Sequence, residues 1–550
     1  MSSPNSLHTS SADNVSALTK SIWWDFATLP VFLWLAVSAF LTIPQLGVSW
    51  DEHFHLAWGA EKWENYQALF SGKIEFEQFL QLSHSSVHPG FFDLMVQGVI
   101  RITFLSPNDS SHLLSFVFGF LGLIGTWLTG RKLLGPIGGF FALLLLLTAP
   151  RYFGHMWFNP KDIPFAACYI WCLYFLLVVI SEFPRPRWTQ VLLLGVVTGL
   201  ALGVRLAGLL IPLYFGAACL LFLIFQSRRV CQFKSDLLSL FMRGVCSAGV
   251  AYLCVLPFWP ALWKSPAGGV SESVGEAQSF GWDGPVLFSG AFERSTELPW
   301  HYLPHWILVT LPEWTLILLV LALVLLLWKL SKHREQFKLT VVFGGVVVCL
   351  SALFPILYVI ATGPTLYDGM RHFIFLLPPL MIIAAAGIVF SIQFLIQALP
   401  TRPWAIWLPP AFSLLLCLKI LLVDYRSLEP YYYIYFNGWV GGLGGAYNNY
   451  ETDYWGLSYR EAFDSLEEYV STLEEKKRSE PWTVSISGVG FLVAPFLTDS
   501  FELSRDRDAA DFYIAYTRLD QHMKGRGEIV RVVRRAGVPL NVIWDQRGED

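Results

Sequence analysis

The sequence predicts a mainly α-helical, polytopic membrane protein with a small α/β domain at its carboxyl end. Hydrophobic residues make up 54% of the 550-residue chain and charged residues 15%, against about 25% charged in an average soluble domain. Apolar runs long enough to cross a bilayer recur as far as about residue 423. Beyond 424 the composition turns polar and short alternating segments replace the long runs.

Residues 1–22 are rich in Ser, Asn and Thr and nearly uncharged. They lack the basic start, short apolar core and small-residue cleavage site of a removable signal peptide, so a disordered tail followed by an uncleaved anchor at 29–48 is expected. Immediately after that anchor stands Trp50-Asp51-Glu52-His53-Phe54-His55. Charged side chains are costly at the centre of a membrane helix, so they gather at helix ends and in cavities. Residues 49–111 form an outer loop of amphipathic pieces: Trp63, Tyr66 and Phe70 recur at i, i+3 and i+7, and Phe76, Phe79 and Leu80 repeat the pattern. From His88 to Leu105, Asp93, Gln97 and Arg101 make a polar stripe opposite Phe92, Met95, Val96, Val99 and Ile102. This predicts a helix lying on the membrane surface.

Further apolar runs lie at 112–130, 134–150, 163–181, 188–204, 207–226, 241–260, 305–327, 339–361, 372–396 and 404–423, eleven in all with the first. With the amino terminus inside, Arg131-Lys132, Arg185/Arg187, Arg228/Arg229/Lys234/Arg243, Lys329/Lys332/Arg334/Lys338 and Arg402 all fall inside, as the positive-inside bias requires. Counting 88–105 as a span would reverse every later loop. The domains expected are therefore a cytoplasmic tail at 1–22, a transmembrane domain at 23–425 and an extracytoplasmic α/β domain at 426–550. In the last, 458–477 reads as a helix, and 483–487, 511–517, 529–534 and 540–544 as strands. The eight cysteines lie in apolar runs or, for Cys231, a short basic loop, and read as small buried hydrophobes. No basic, aromatic-interleaved patch suggests nucleic acid.

Four more polar groups fall at outside ends: His84 and His88 around Ser85-Ser86; Asn159-Pro160-Lys161-Asp162; Arg205 in Gly203-Val204-Arg205-Leu206-Ala207-Gly208; and Tyr367-Asp368-Gly369-Met370-Arg371-His372. Carboxylates in the first outer loop supply a general base. Cations at three later outside ends supply a phosphate clamp, since guanidinium offers a planar fork of donors and lysine a point charge. Together they fit transfer from a lipid-linked phosphate. Asp51, Glu52, His53, His55, His84 and His88 also offer oxygen and imidazole ligands, so a divalent metal is a candidate cofactor, though no HExxH motif is present.

On these residues the chain resembles the GT-C glycosyltransferases that use polyprenyl-phosphate sugars, in the broad group of protein O-mannosyltransferases and the aminoarabinose transferase of lipid A. The matching features are Trp50-Asp51-Glu52 after the first span, His88-Pro89, Lys161-Asp162, Arg205 among small residues, and Arg371-His372-Phe373 followed by Pro378-Pro379. Two spans separate Asp51 from Asp162, as in that layout. The resemblance covers roughly 25–425. It departs at His88-Pro89-Gly90, where the family often has Lys-Pro-Pro or His-Pro-Pro. The tail segment Tyr433 to Trp455, with Asn437, Gly441-Gly442, Gly444-Gly445 and Asp453-Tyr454-Trp455-Gly456, looks like a separate subgroup of membrane glycosyltransferases.

The resemblance implies an integral membrane enzyme that moves a monosaccharide from a polyprenyl-phosphate carrier to an acceptor hydroxyl on a protein, lipid or glycan, outside the cytoplasm and with inversion. Asp51 would be the general base. Glu52 would orient that base or the acceptor, and Asp162 would bind sugar or help a metal. Lys161, Arg205, Arg371, His88 and His372 would contact the donor. A lipid-linked glycan ligase or polymerase is the alternative enzyme. A secondary transporter fits less well, since its charges would sit near the bilayer midplane and its halves often repeat.

Overall fold

The structure is a computed structural model that describes residues 21–82, 88–226, 230–278, 282–332, 339–473 and 480–548. Among the described residues, nine helices are long and apolar enough to cross a membrane, and Trp188–Leu202 is a shorter apolar helix. The longest, Pro107–Leu147, has 41 residues, about twice what a bilayer needs. It holds both the second and third apolar runs and breaks at Gly135, where φ is 82° and Pro136 follows. A Cβ at Gly130 would lie 2.9 Å from the Ala142 Cβ, so the two halves fold back on each other as a hairpin. With that break, each of the eleven apolar runs has a helix. The run at 305–327 divides into Tyr302–Thr310 and Glu313–Lys332, parted by Leu311-Pro312.

The helices used below are α1 (Trp23–Gln45), α2 (Trp50–Phe70), α3 (Phe76–Leu82), α4 (Phe91–Ile102), α5 (Pro107–Leu147), α6 (Pro150–His155), α7 (Asp162–Ile180), α8 (Trp188–Leu202), α9 (Leu210–Gln226) and α10 (Val230–Val255). The basic connections gather at one end of the bundle. Arg131 pairs with Asp25 at 2.8 Å, Lys132 donates to Ser181, Arg185 donates to Ser235 and Arg243 donates to the Pro186 carbonyl.

Among the described residues, the connection between α1 and α5 holds three helices, α2 to α4. The polar stripe of α4 does not face water as expected. Asp93 and Gln97 are buried against α2, where Asp93 meets His55 at 2.8 Å and Gln97 donates to the Leu56 carbonyl. Arg101 lies over the Trp63 ring. Phe91, Phe92 and Val96 are buried as well, while Ile102 is 82% exposed. α4 thus packs on two sides and leaves Ile102 exposed at its end.

Among the described residues, the carboxyl-terminal domain packs its longest helix, Tyr459–Ser471, with a mixed five-stranded sheet. Its strands are β3 (Trp482–Ile486), β4 (Phe501–Leu503), β5 (Phe512–Tyr516), β6 (Glu528–Arg535) and β7 (Val538–Asp545), in the order β4-β3-β5-β7-β6. β3 is parallel to β4 and β5, whereas β7 is antiparallel to β5 and β6. Four strands were legible as alternating segments; β4, three residues at the edge, was not. The hairpin β1–β2 (Pro285–Phe288, Ala291–Arg294) was also unforeseen.

The segment Tyr433 to Trp455 joins this domain to the bundle. Asn437 donates to the carbonyls of Leu308 and Leu311 at 2.7 and 2.8 Å, capping the end of the Tyr302–Thr310 helix. Asp453 accepts from the Gly456 amide and from Ser458 and Tyr433. Gly154 lies so close that a Cβ there would meet the Tyr433 backbone nitrogen at 2.3 Å.

Candidate active site

Ser49, Asp51 and Glu52 begin α2. Ser49 is the N-cap, and Glu52 returns its carboxylate to the Ser49 amide at 3.1 Å, a reciprocal capping box. Both acids complement the positive end of the helix dipole. Their surroundings then diverge. Glu52 is fully buried, and its remaining partner is His112 of α5 at 3.1 Å. The Asp51 side chain keeps 25% exposure and meets Arg371 at 2.5 Å. Of the two, Asp51 is the one that can meet a substrate.

Arg371 ends a chain of charges that comes from the carboxyl-terminal domain. Its Nε lies 3.2 Å from Asp368, and Asp368 lies 2.9 Å from Arg518, which follows β5. Arg518 also donates to the Tyr454 carbonyl and lies 3.8 Å from Glu451. The Arg371 guanidinium stands over Tyr367 and Trp455, at 5.0 and 4.9 Å. Burial opposes ionisation of Asp51, but Arg371, His55 and Lys161 outweigh it and hold the carboxyl below its usual range.

A second cluster lies at the start of α7. The Asn159 side-chain oxygen accepts from the amides of Lys161 and Asp162. Its nitrogen lies 2.9 Å from Asp162 and 3.0 Å from His155. Asp162 pairs with Arg205, and His155 meets the Tyr454 hydroxyl at 3.0 Å. Burial, reinforced by Arg151 and Arg371, keeps His155 well below the usual histidine range and therefore neutral. Burial also pushes the Lys161 ammonium down to about 8, with Arg205 adding and Asp51, Asp162 and Asp93 opposing.

Asp51, Lys161, Asp162, Arg205 and Arg371 are thus linked by these pairs and couplings. His372 packs edge-on against Tyr367 at 4.8 Å, and His88 lies 5.7 Å from Trp58. His155, Asn159, Asp368, Arg518, Trp455 and the Asp93–His55 pair were not assigned roles from sequence. The spacing of Asp93, Gln97 and Arg101 marks a polar stripe but names no partner for it, and nothing in the spacing links Arg518 to Asp368 across 150 residues.

Among the described residues the metal candidates do not converge. His53 stacks on Phe491 at 4.3 Å, His55 is taken by Asp93, and His84 lies outside the described residues. Among the described residues no group of three His, Cys, Asp or Glu side chains could hold a metal ion.

An apolar cavity of about 600 Å³ opens among α8, α9, α10 and the segment after them, lined by Leu202, Leu206, Phe215, Ala251, Trp259 and others. Leu202 and Leu206 flank the turn that carries Arg205. No described residue of α2 or α3 lines its wall.

Residues 87–256 match the model of the family described as dolichyl-phosphate-mannose-protein mannosyltransferase. No curated protein sequence matches the chain. Among solved structures, the chain is similar to ArnT from Cupriavidus metallidurans in the apo state, at 12% identity and a TM-score of 0.48, covering 95% of this chain and 99% of that one. The same protein bound to undecaprenyl phosphate gives 12% identity and 0.46, covering 95% and 98%. The Archaeoglobus fulgidus oligosaccharyltransferase in the apo form gives 12% and 0.40, covering 72% and 54%. The family match takes in His88, Lys161, Asp162 and Arg205 and leaves Asp51 and Arg371 outside it, so the stretch from α4 to α10 is the part of this polytopic chain that matches the mannosyltransferase family.

Proposed function

We propose that the protein transfers one sugar from a polyprenyl-phosphate carrier to an acceptor hydroxyl on the extracytoplasmic side, with inversion. The observation that supports this best is a partly exposed carboxylate, Asp51, gripped by an otherwise buried Arg371 and joined by Lys161, Asp162 and Arg205 at one end of the bundle.

Asp51 takes the proton of the acceptor hydroxyl as its oxygen attacks the anomeric carbon. The bond from that carbon to the phosphate oxygen breaks, and the phosphate leaves with the electron pair. Phosphate departs readily, so stabilising its charge matters more than protonating it. Lys161 and the two arginines supply that stabilisation. Glu52 orients the base indirectly, by fixing the first turn of α2. Asp162 holds Arg205 towards the same region. The cavity beside Arg205 offers apolar walls to the carrier's isoprenoid tail. Purified protein given a polyprenyl-phosphate sugar and a hydroxyl acceptor should form the glycoside. Wild-type protein that releases no carrier phosphate with any such donor would refute the proposal.

A further inference from the structure

His55 and Lys62 follow Asp51 on α2 at i+4 and i+11, so all three share one helical face. That face turns inward, and Lys62 is only 2% exposed. Its Nζ has no hydrogen-bond partner among the described residues. Asp93 and Glu61 act on it only from beyond ion-pair distance, and Asp93 is already bonded to His55. Burying an ammonium without a partner is expensive, by several kcal/mol in general. An apolar residue would serve packing better, so the lysine calls for an anion.

The backbone makes room for it. A Cβ at Gly90 would sit 2.7 Å from the Lys62 Cδ and 2.8 Å from its Cε, so the stem occupies the space that a side chain at 90 would fill. This accounts for a glycine after His88-Pro89. The Gly90 amide donates to the Phe258 carbonyl and the Phe91 amide to the Gly203 carbonyl, both at 2.9 Å. Lys62 is thereby anchored beside the turn that carries Arg205. Lys161 has no carboxylate within ion-pair distance among the described residues, and both lysines act electrostatically on Asp93 and on His88. Arg205 and Arg371, by contrast, already hold carboxylates.

We infer that Lys62 and Lys161 form the seat of a phosphate oxyanion, with Lys62 reaching over Gly90 to complete it. For its place in the reaction the inference rests on the proposed sugar transfer; its test does not. The ligand chemistry is a phosphate ester or free phosphate, and Lys62 is the residue that no sequence motif marks.

The test measures binding to the purified full-length protein in detergent, with no sugar present. The probes are a polyprenyl phosphate and, separately, inorganic phosphate. Losing one charge-assisted hydrogen bond should weaken polyprenyl-phosphate binding about tenfold or more in Lys62→Met, with Lys62→Arg within a few-fold of wild type. Unliganded Lys62→Met should unfold at the wild-type temperature or above it, because a desolvated charge is gone. Should it fail to fold, Lys62→Gln is read in its place. Inorganic phosphate that competes, with the same dependence on Lys62, would support a seat for the anion itself. Competition only by the lipid would support a seat needing its tail. Unchanged binding in both Lys62→Met and Lys62→Gln would overturn the inference, as would wild-type protein that binds neither probe. Phosphate binding without any sugar transfer would leave the seat standing and remove the transferase reading.

Discussion

Arg518 lies 2.9 Å from Asp368, so a residue of the carboxyl-terminal domain grips the loop that presents Arg371 to Asp51. Without Arg518, Asp368 would draw Arg371 towards itself and loosen its hold on Asp51. Arg518→Ala should then lower kcat about tenfold or more and move the acidic limb of the pH profile upward, with Arg518→Lys restoring part of both. An acidic limb that stays in place would mean that Arg518 merely helps the domain fold.

Asp51→Asn should reduce turnover by about 10²- to 10⁴-fold, the usual span for losing a general base, while the protein unfolds at a similar temperature. In the wild type, Arg371 keeps Asp51 ionised below the usual carboxylate range. Activity should therefore persist down to that range and fall only beneath it. Steady-state rates against pH, with protein integrity checked at each point, measure this.

Lys161 carries its proton below about 8. Donor affinity should accordingly be full on the acid side of that value and decline as pH rises through it. Lys161→Arg, which stays charged, should push the decline to higher pH. Donor KM measured between neutral and mildly alkaline pH decides the matter.

Glu52 is fully buried and bonded to Ser49 and His112. Glu52→Gln should cost about 1.5–3 kcal/mol of stability, the range for a hydrogen bond to a charged group. The folded fraction should keep its donor KM. Thermal unfolding beside kinetics would show it, and a collapse of kcat in stable protein would instead put Glu52 at the reacting centre.

Glu451 sits beside Arg518, where burial pushes its carboxyl from 4.5 up to about 7, with Asp368 adding and Arg518 opposing. Between those values the folded state keeps a proton that the unfolded chain has lost. Stability should thus fall as pH rises through the window. Glu451→Gln should flatten that slope in a thermal-unfolding series across it.

The transmembrane helices were legible because a membrane span needs a long apolar run, and each run has its helix. The reversal between the second and third runs was legible from the basic break at Arg131-Lys132, although the chain turns at Gly135-Pro136, a few residues inside the third run. Asp51, Lys161, Arg205 and Arg371 stood out because ionisable residues beside apolar runs are rare. What escaped notice lies in side chains whose neighbours are distant in sequence. The α4 stripe has the pattern of a surface helix, yet α2 offers His55 and Trp63 to satisfy it. Arg518 lies in a domain rich in arginines, where nothing local distinguishes it. Lys62 sits among Glu61, Trp63 and Glu64 and has the ordinary look of a solvated helix.

The ion pair of Asp51 with Arg371 spans 320 residues, and that of Asp368 with Arg518 another 150. A ribosome adding about ten residues per second would deliver Arg371 roughly half a minute after Asp51. Arg518 would follow later still. Asp51, in the first turn of α2, is therefore made long before its partner, with most of the apolar runs synthesised in between. The network from Asp51 through Arg371 and Asp368 to Arg518 is complete only once the last domain has emerged, so under the proposed function a half-made chain would lack its assembled site.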